Sequence, residues 1–448
     1  MNKTMMTRRH LLQGLGAGMG VLALAACAPV APGTAPSGEA AAPSAEKTTV
    51  VFWSSFTGKN GEAETELVKR FNESQGEVAL DYQFQGTYEE TAQKVTAALQ
   101  ARTAPDLTLL SDVWWFKFYL NQVLLPLDDL MTAQNVDISD YQDPLINEGL
   151  RQGKHWWLPF ARSTPLFYYN KAKWATAGLP DRGPETWDEF MEWAPKLVEM
   201  DGSEIKTSAF AHPDGASYIA WLFQGVVWQF GGKYSDPDFT MHMTDEKTVA
   251  AGQFYKDTVH TYNWARPSKD IAADFIGGFT AASMMSTGAM GGVKANAEFE
   301  FGTAFLPKKD QFGCCTGGAG LAILATTPEE KRAAAMQYMA YASSPEQTTF
   351  WAKNTGYMPV RKSALESQEM QDYFAEFPQF KTAADQLALT QPQDAARVFV
   401  PNGDLIIGKG LERITVQSED VATVFAEVQT TLEQEAAPVV EALQAVEG

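Results

Sequence analysis

The sequence predicts an α/β protein of two lobes, and three observations lead there. Once an export segment is set aside, roughly 400 residues remain, more than one hydrophobic core usually serves. The first part of that remainder alternates short apolar runs with amphipathic ones, the pattern of a parallel sheet with crossover helices. Farther on, a polar tetrapeptide, Arg162-Ser163-Thr164-Pro165, interrupts two apolar runs and marks a passage from one lobe to the other.

Thr48 to Phe56 reads as a buried strand, Glu62 to Ser74 as an amphipathic helix with Leu67, Val68 and Phe71 on one face, and Val78 to Phe84 as a second strand. Gly86-Thr87-Tyr88-Glu89 opens the next helix, and Asp106 to Leu110 is a third strand with Ser111-Asp112 at its C-terminal end. Ligands of such sheets bind beyond the strand C-termini, which puts Tyr88 and Asp112 forward. Leu166 to Tyr169 is an aromatic strand, ended by a two-turn helix from Lys171 to Ala177 that Gly178 and Pro180 stop. Thr186-Trp187-Asp188-Glu189 has the form of a capping box. Asp181 to Tyr262 reads as helical and aromatic, with Trp174, Trp187 and Trp193 expected to pack. Phe301 to Leu306 and Leu321 to Leu324 read as strands, and Thr327-Pro328 as a helix start with Pro at the first position. Asn354 to Val360 reads as a turn between helix and strand, and the chain from Leu365 onward as mostly helix.

The first 27 residues form an export signal. Arg8-Arg9 precede an apolar run from Leu11 to Ala26, and Leu24-Ala25-Ala26-Cys27 resembles a bacterial lipobox, whose Cys is lipidated. Residues 28–47 are mostly Pro, Ala, Gly and Ser, a flexible tether. Removing Lys3, Arg8 and Arg9 takes the formal charge from −20 to −23, which repels nucleic acid and anionic surfaces. An anionic ligand therefore needs dedicated arginines or backbone amides. Cys314 and Cys315 are adjacent, so two free thiols are expected rather than a bridge.

No catalytic signature emerges. The five histidines are dispersed, with no metal-ligand spacing, so no cofactor or metal is expected. Gly403 to Lys409 fits the spacing of a phosphate loop, but Gly410 follows where Ser or Thr would ligate magnesium. Aromatic content does stand out, and such faces stack on sugar rings or hold quaternary ammonium groups.

The lipobox, the tether, Val50–Phe56, PFARSTPLFYYNK with the later TWDEF, Gly317-Gly318-Ala319-Gly320 and NTGYMPVRKSA together resemble the extracellular solute-binding proteins of ABC importers. Gly-x-Tyr-Glu at 86–89, Ser163-Thr164-Pro165 and Ala396-Arg397-Val398 are similar to the glycerol-3-phosphate and glycerophosphodiester-binding (Ugp-type) branch. The resemblance implies a two-lobe periplasmic-binding-protein-like fold (type II) that binds rather than catalyses. Its hinge would have three crossings, near Ala161–Pro165, Gly317–Gly318 and Tyr357–Val360. Residues 48–162 and 318–357 would form lobe 1, and 163–317 and 358–448 lobe 2. Tyr88 and Asp112 would meet the glycerol hydroxyls, with Asp112 standing where Glu is usual. Ser163, Ser286 and the Gly318 amide would be further donors, and Tyr357 and Arg397 would hold the phosphate. Tyr218 and Trp221 would wall a roomier site suited to a diester head group.

The implied partners are a small phosphate ester or sugar, the ABC permease subunits, and the membrane through the lipid on Cys27, for a monomer on the outer face of the cytoplasmic membrane or in the periplasm. Competing readings are an oligosaccharide binder of the same fold and, more remotely, a surface-anchored hydrolase of glycans or phosphodiesters.

Overall fold

The computed structural model describes residues 47–215 and 218–448, so the export signal, the tether and Cys27 lie outside the described residues. Two sheets organise the chain. The first runs in the order Val78–Phe84, Thr48–Ser54, Leu107–Ser111, Gly317–Ile323, Leu158–Ser163. Its first three strands are parallel, as the β-α-β-α-β alternation requires, and the last two add antiparallel. The second runs Ala265–Ser268, Glu204–Pro213, Thr280–Ser286, Pro165–Asn170, Phe301–Ala304, with Glu199–Asp201 paired onto Glu204–Pro213.

The N-terminal elements follow the sequence closely. Gly58–Ser74 buries Leu67, Val68 and Phe71 against the first sheet, one turn longer at its start than its apolar pattern. Tyr88–Ala101 begins at a capping box of Thr87 and Glu90. In Trp187–Leu197, Thr186 accepts from the Glu189 amide at 3.0 Å, but the Glu189 carboxylate turns to the Glu185 amide and Arg182. Trp174, Trp187 and Trp193 are buried packing residues.

Four segments depart from expectation. The span read as helical holds a ten-residue strand, Glu204–Pro213, whose buried half, Thr207 to Pro213, lacks the alternation that marks a half-buried strand. The glycines at 317–320 lie within a strand, not before it. Asn354 to Val360 leads into another helix, Lys362–Glu366, and Pro328 is the N-cap of Glu329–Ala342 rather than its first residue. Gly403 to Lys409 begins the helix Gly403–Thr415, in keeping with its rejection as a phosphate loop.

Strand Leu158–Ser163 belongs to the first sheet and Pro165–Asn170 to the second, so Thr164 alone joins them. A second connection runs from Phe301–Ala304 to Gly317–Ile323. Met358 donates its amide to the Arg162 carbonyl at 2.8 Å, laying the third segment beside the first. The 27-residue helix Val421–Glu447 starts against Gly403–Thr415 and Glu246–His260 and ends against Trp115–Leu120. There Glu447 accepts two bonds from Arg151, each 2.8 Å, and one from Tyr119 at 2.9 Å. Among the described residues no helix is long and apolar enough to cross a membrane.

Candidate functional site

Asp112 follows the C-terminal end of strand Leu107–Ser111, its amide fixed to the Gly318 carbonyl at 2.9 Å. Its side chain does not cap a helix. Instead it accepts from Gln393 Nε2 at 2.7 Å and lies 3.4 Å from Arg397 Nη1. Gln393 and Arg397 belong to the region that packs with the second sheet's helices, since neighbouring Asp394 accepts from Trp228 Nε1 and the Tyr234 amide. Arg397 is 5 % exposed, donates from Nε to Asp404 at 2.6 Å and also bonds Gln393 Oε1. Burial pulls its proton affinity down, but Asp404 and Asp112 more than offset that, and it stays cationic. Burial in turn pushes Asp404 up, and Asp394 to about 6.

Tyr88 and Tyr357, both within reach of the Asp112 charge, have their hydroxyls 3.4 Å apart. Desolvation raises both, Tyr357 to about 12, so both stay protonated hydrogen-bond donors at neutral pH. The Tyr357 ring stacks on Trp351 and sits against Gly288, where a Cβ would lie 2.6 Å from it. Gly318 has φ +103°, and a Cβ there would fall 2.1 Å from the Ala161 carbonyl oxygen, so only glycine lets these strands approach. Trp221 donates from Nε1 to the Thr316 carbonyl at 2.9 Å, its ring filling the space beside Gly317, and Tyr218 lies 6.0 Å from it. A cavity of about 420 Å³ opens between Asp112, Trp115, Glu148 and Arg151 on one side and Gln393, Asp394 and Phe399 on the other.

The structure thus gathers Tyr88, Asp112, Gly318, Tyr357 and Arg397. Ser163 is buried opposite Gly317 across the strand pair. Ser286 is engaged locally, its Oγ accepting from the Gly288 amide at 3.1 Å. Cys314 and Cys315 are free and fully buried, and burial pushes both thiols up. Gln393 and Glu148 escaped sequence reasoning: neither sits in a distinctive motif, and only folding brings them to Asp112 and to Arg162. Among the described residues no group of three or more His, Cys, Asp or Glu side chains could hold a metal ion.

The family pattern described as bacterial extracellular solute-binding protein matches residues 66–379, well over half the chain. The chain belongs to that family. Among its solute-binding relatives, the structure of UgpB from Mycobacterium tuberculosis in complex with glycerophosphocholine is 43 % identical, covers 87 % of this chain and 98 % of its own, and superposes with a TM-score of 0.83. The sn-glycerol-3-phosphate-binding periplasmic protein UgpB of Yersinia pestis is 24 % identical over 364 residues, 77 % of this chain and 81 % of that one. The cyclic α-maltosyl-1,6-maltose binding protein of Arthrobacter globiformis, 23 % identical over 87 % of this chain and 99 % of its own, with a TM-score of 0.70, shares the two-lobe fold. As a family member the protein is an exported solute-binding component.

Proposed function

We propose that this protein captures glycerol-3-phosphate or a glycerophosphodiester such as glycerophosphocholine between its lobes and delivers it to an ABC permease. The observation that carries the reading is buried Arg397, the one guanidinium bonded to Asp112 across the cleft, in a chain 43 % identical to a glycerophosphocholine-bound protein. A guanidinium grips phosphate with two parallel charge-assisted bonds, which no other side chain does as well. In this reading Tyr357 assists Arg397 at the phosphate. Tyr88 and Asp112 take the glycerol hydroxyls, Ser163, Ser286 and the Gly318 amide donate further bonds, and Tyr218 and Trp221 wall the head-group side.

Charge favours the diester. Asp112, Glu148 and Asp404 surround Arg397 and Arg162, so three carboxylates face two guanidiniums. A singly charged phosphodiester with a cationic head meets less repulsion there than a doubly charged monoester. The lobe division at residues 162–163, 317–318 and 357–358 belongs to the same proposal. So do a monomeric state and a lipid on Cys27 that restricts diffusion to the membrane face.

Calorimetric titration with glycerophosphocholine, glycerol-3-phosphate and maltose tests the reading. Phosphate-ester binding is expected, and binding of maltose alone would overturn it. Arg397→Ala is expected to cost about 100-fold or more in phosphate-ester affinity. Unchanged affinity would remove Arg397 from the site.

A further inference from the structure

Arg162 is fully buried, and only one of its guanidinium nitrogens is occupied, Nη2 on Glu148; Nε and Nη1 have no partner. A buried guanidinium ordinarily spends its five N–H donors, because each one left unpaired forfeits the bond it had in water. The surroundings give Arg162 every reason to be rigid. Its plane lies 4.8 Å over the Trp157 ring, its carbonyl accepts from Met358, and it sits one residue before Ser163 at the single-residue crossing. Glu148, its counter-charge, is itself held by the Thr316 hydroxyl and lines the cavity between the lobes. The Arg162 charge also acts on both Tyr88 and Tyr357, drawing their hydroxyls down against the larger effect of burial. The side chain is thus aligned, backed by an aromatic face and left with free donors, one ion pair away from the cavity that Glu148 lines.

We propose that Arg162 donates directly to an oxygen of the bound ligand through these free N–H groups, with Glu148 and Trp157 holding it in position. The inference rests on the reading of this cleft as the capture site, and it names a contact that the resemblance did not supply. A phosphate oxygen and a hydroxyl oxygen share the needed acceptor chemistry.

The experiment has two stages. Wild-type protein is first titrated with glycerophosphocholine and with maltose, which decides the ligand class independently of Arg162; the ligand that binds is carried forward. Arg162→Lys and Arg162→Met are expected to lose about tenfold or more in affinity, the scale of one charge-assisted bond. Glu148→Gln loosens the hold on Arg162 but keeps its donors, and is expected to lose less affinity than either Arg162 variant. In the wild-type protein the Arg162 Nε–H resonance, followed by nitrogen-15 NMR, is expected to move on saturation. Unchanged affinity in folded Arg162→Lys overturns the proposal. So does an equal loss in Glu148→Gln, which would make the pair a structural bridge, or an unmoved Nε–H resonance.

Discussion

At the residue scale, Glu64 shows how burial alone sets a charge state. It is fully buried in helix Gly58–Ser74, accepts from Ser54 Oγ at 2.8 Å, and has a second oxygen without a partner. Desolvation raises it to about 7, the bond from Ser54 opposing only in part. Because the folded value lies above the unfolded one of 4.5, its stabilising contribution is complete below pH 4.5 and is lost as pH rises through 7. Over that window the loss is about 3 kcal/mol. His212 works in the opposite direction: burial holds it near 3, so its contribution is present above pH 6.5 and lost on acidification. Urea unfolding of wild type and Glu64→Gln from pH 4.5 to 8 separates the two. The gap between the curves is expected to shift by about 3 kcal/mol in favour of the variant with rising pH; parallel curves would refute the assignment. Legibility at this scale was uneven. Asp112 was readable from its place at the end of the third strand, and Arg397 because Ala396-Arg397-Val398 is shared with a family branch. Glu148 was not, since a lone Glu among 55 acidic residues carries no local sign that it will be drawn inside.

At the element scale, the paired strands Leu158–Ser163 and Gly317–Ile323 matter most. Gly318→Ala must place its Cβ against the Ala161 carbonyl at a φ that L-residues rarely adopt. It is expected to cost about 2–4 kcal/mol and several degrees of melting temperature, measured by circular dichroism. A melting temperature equal to wild type would mean that the strands can part there without penalty. Parallel strands and their helices were legible because apolar periodicity and caps are local. The pairing of a glycine run into a strand was not: those residues lack side chains to show an alternation, and both partners that hold them in the sheet lie far away in sequence.

At the scale of the whole molecule, the helix Val421–Glu447 ties the two ends of the structure together. Its length is about 40 Å, and its last turn joins Arg151 and Tyr119 to Glu447 while Val439 is buried in the same hydrophobic cluster as Trp115. A partly exposed pair of this kind contributes about 0.5–1 kcal/mol, so Glu447→Gln is expected to weaken ligand affinity about two- to fivefold. Small-angle scattering of the ligand-free variant should then report a larger radius of gyration. Identical affinity and radius would show that the tie is indifferent to lobe closure. Two lobes were legible from chain length and the polar crossing, but a helix that spans both gives no sign of its far partner in sequence.

The indole of Trp221 is bonded to the carbonyl of Thr316, on the segment that connects the sheets, and its ring touches the Gly317 backbone. On the proposed closure, movement of the lobes about Gly317–Gly318 changes the polarity around the ring that touches Gly317. The protein consequently carries its own optical probe: the emission of Trp221 should change on capture. Replacing it with Phe should diminish the signal by its share, so that binding can be followed without attaching a dye.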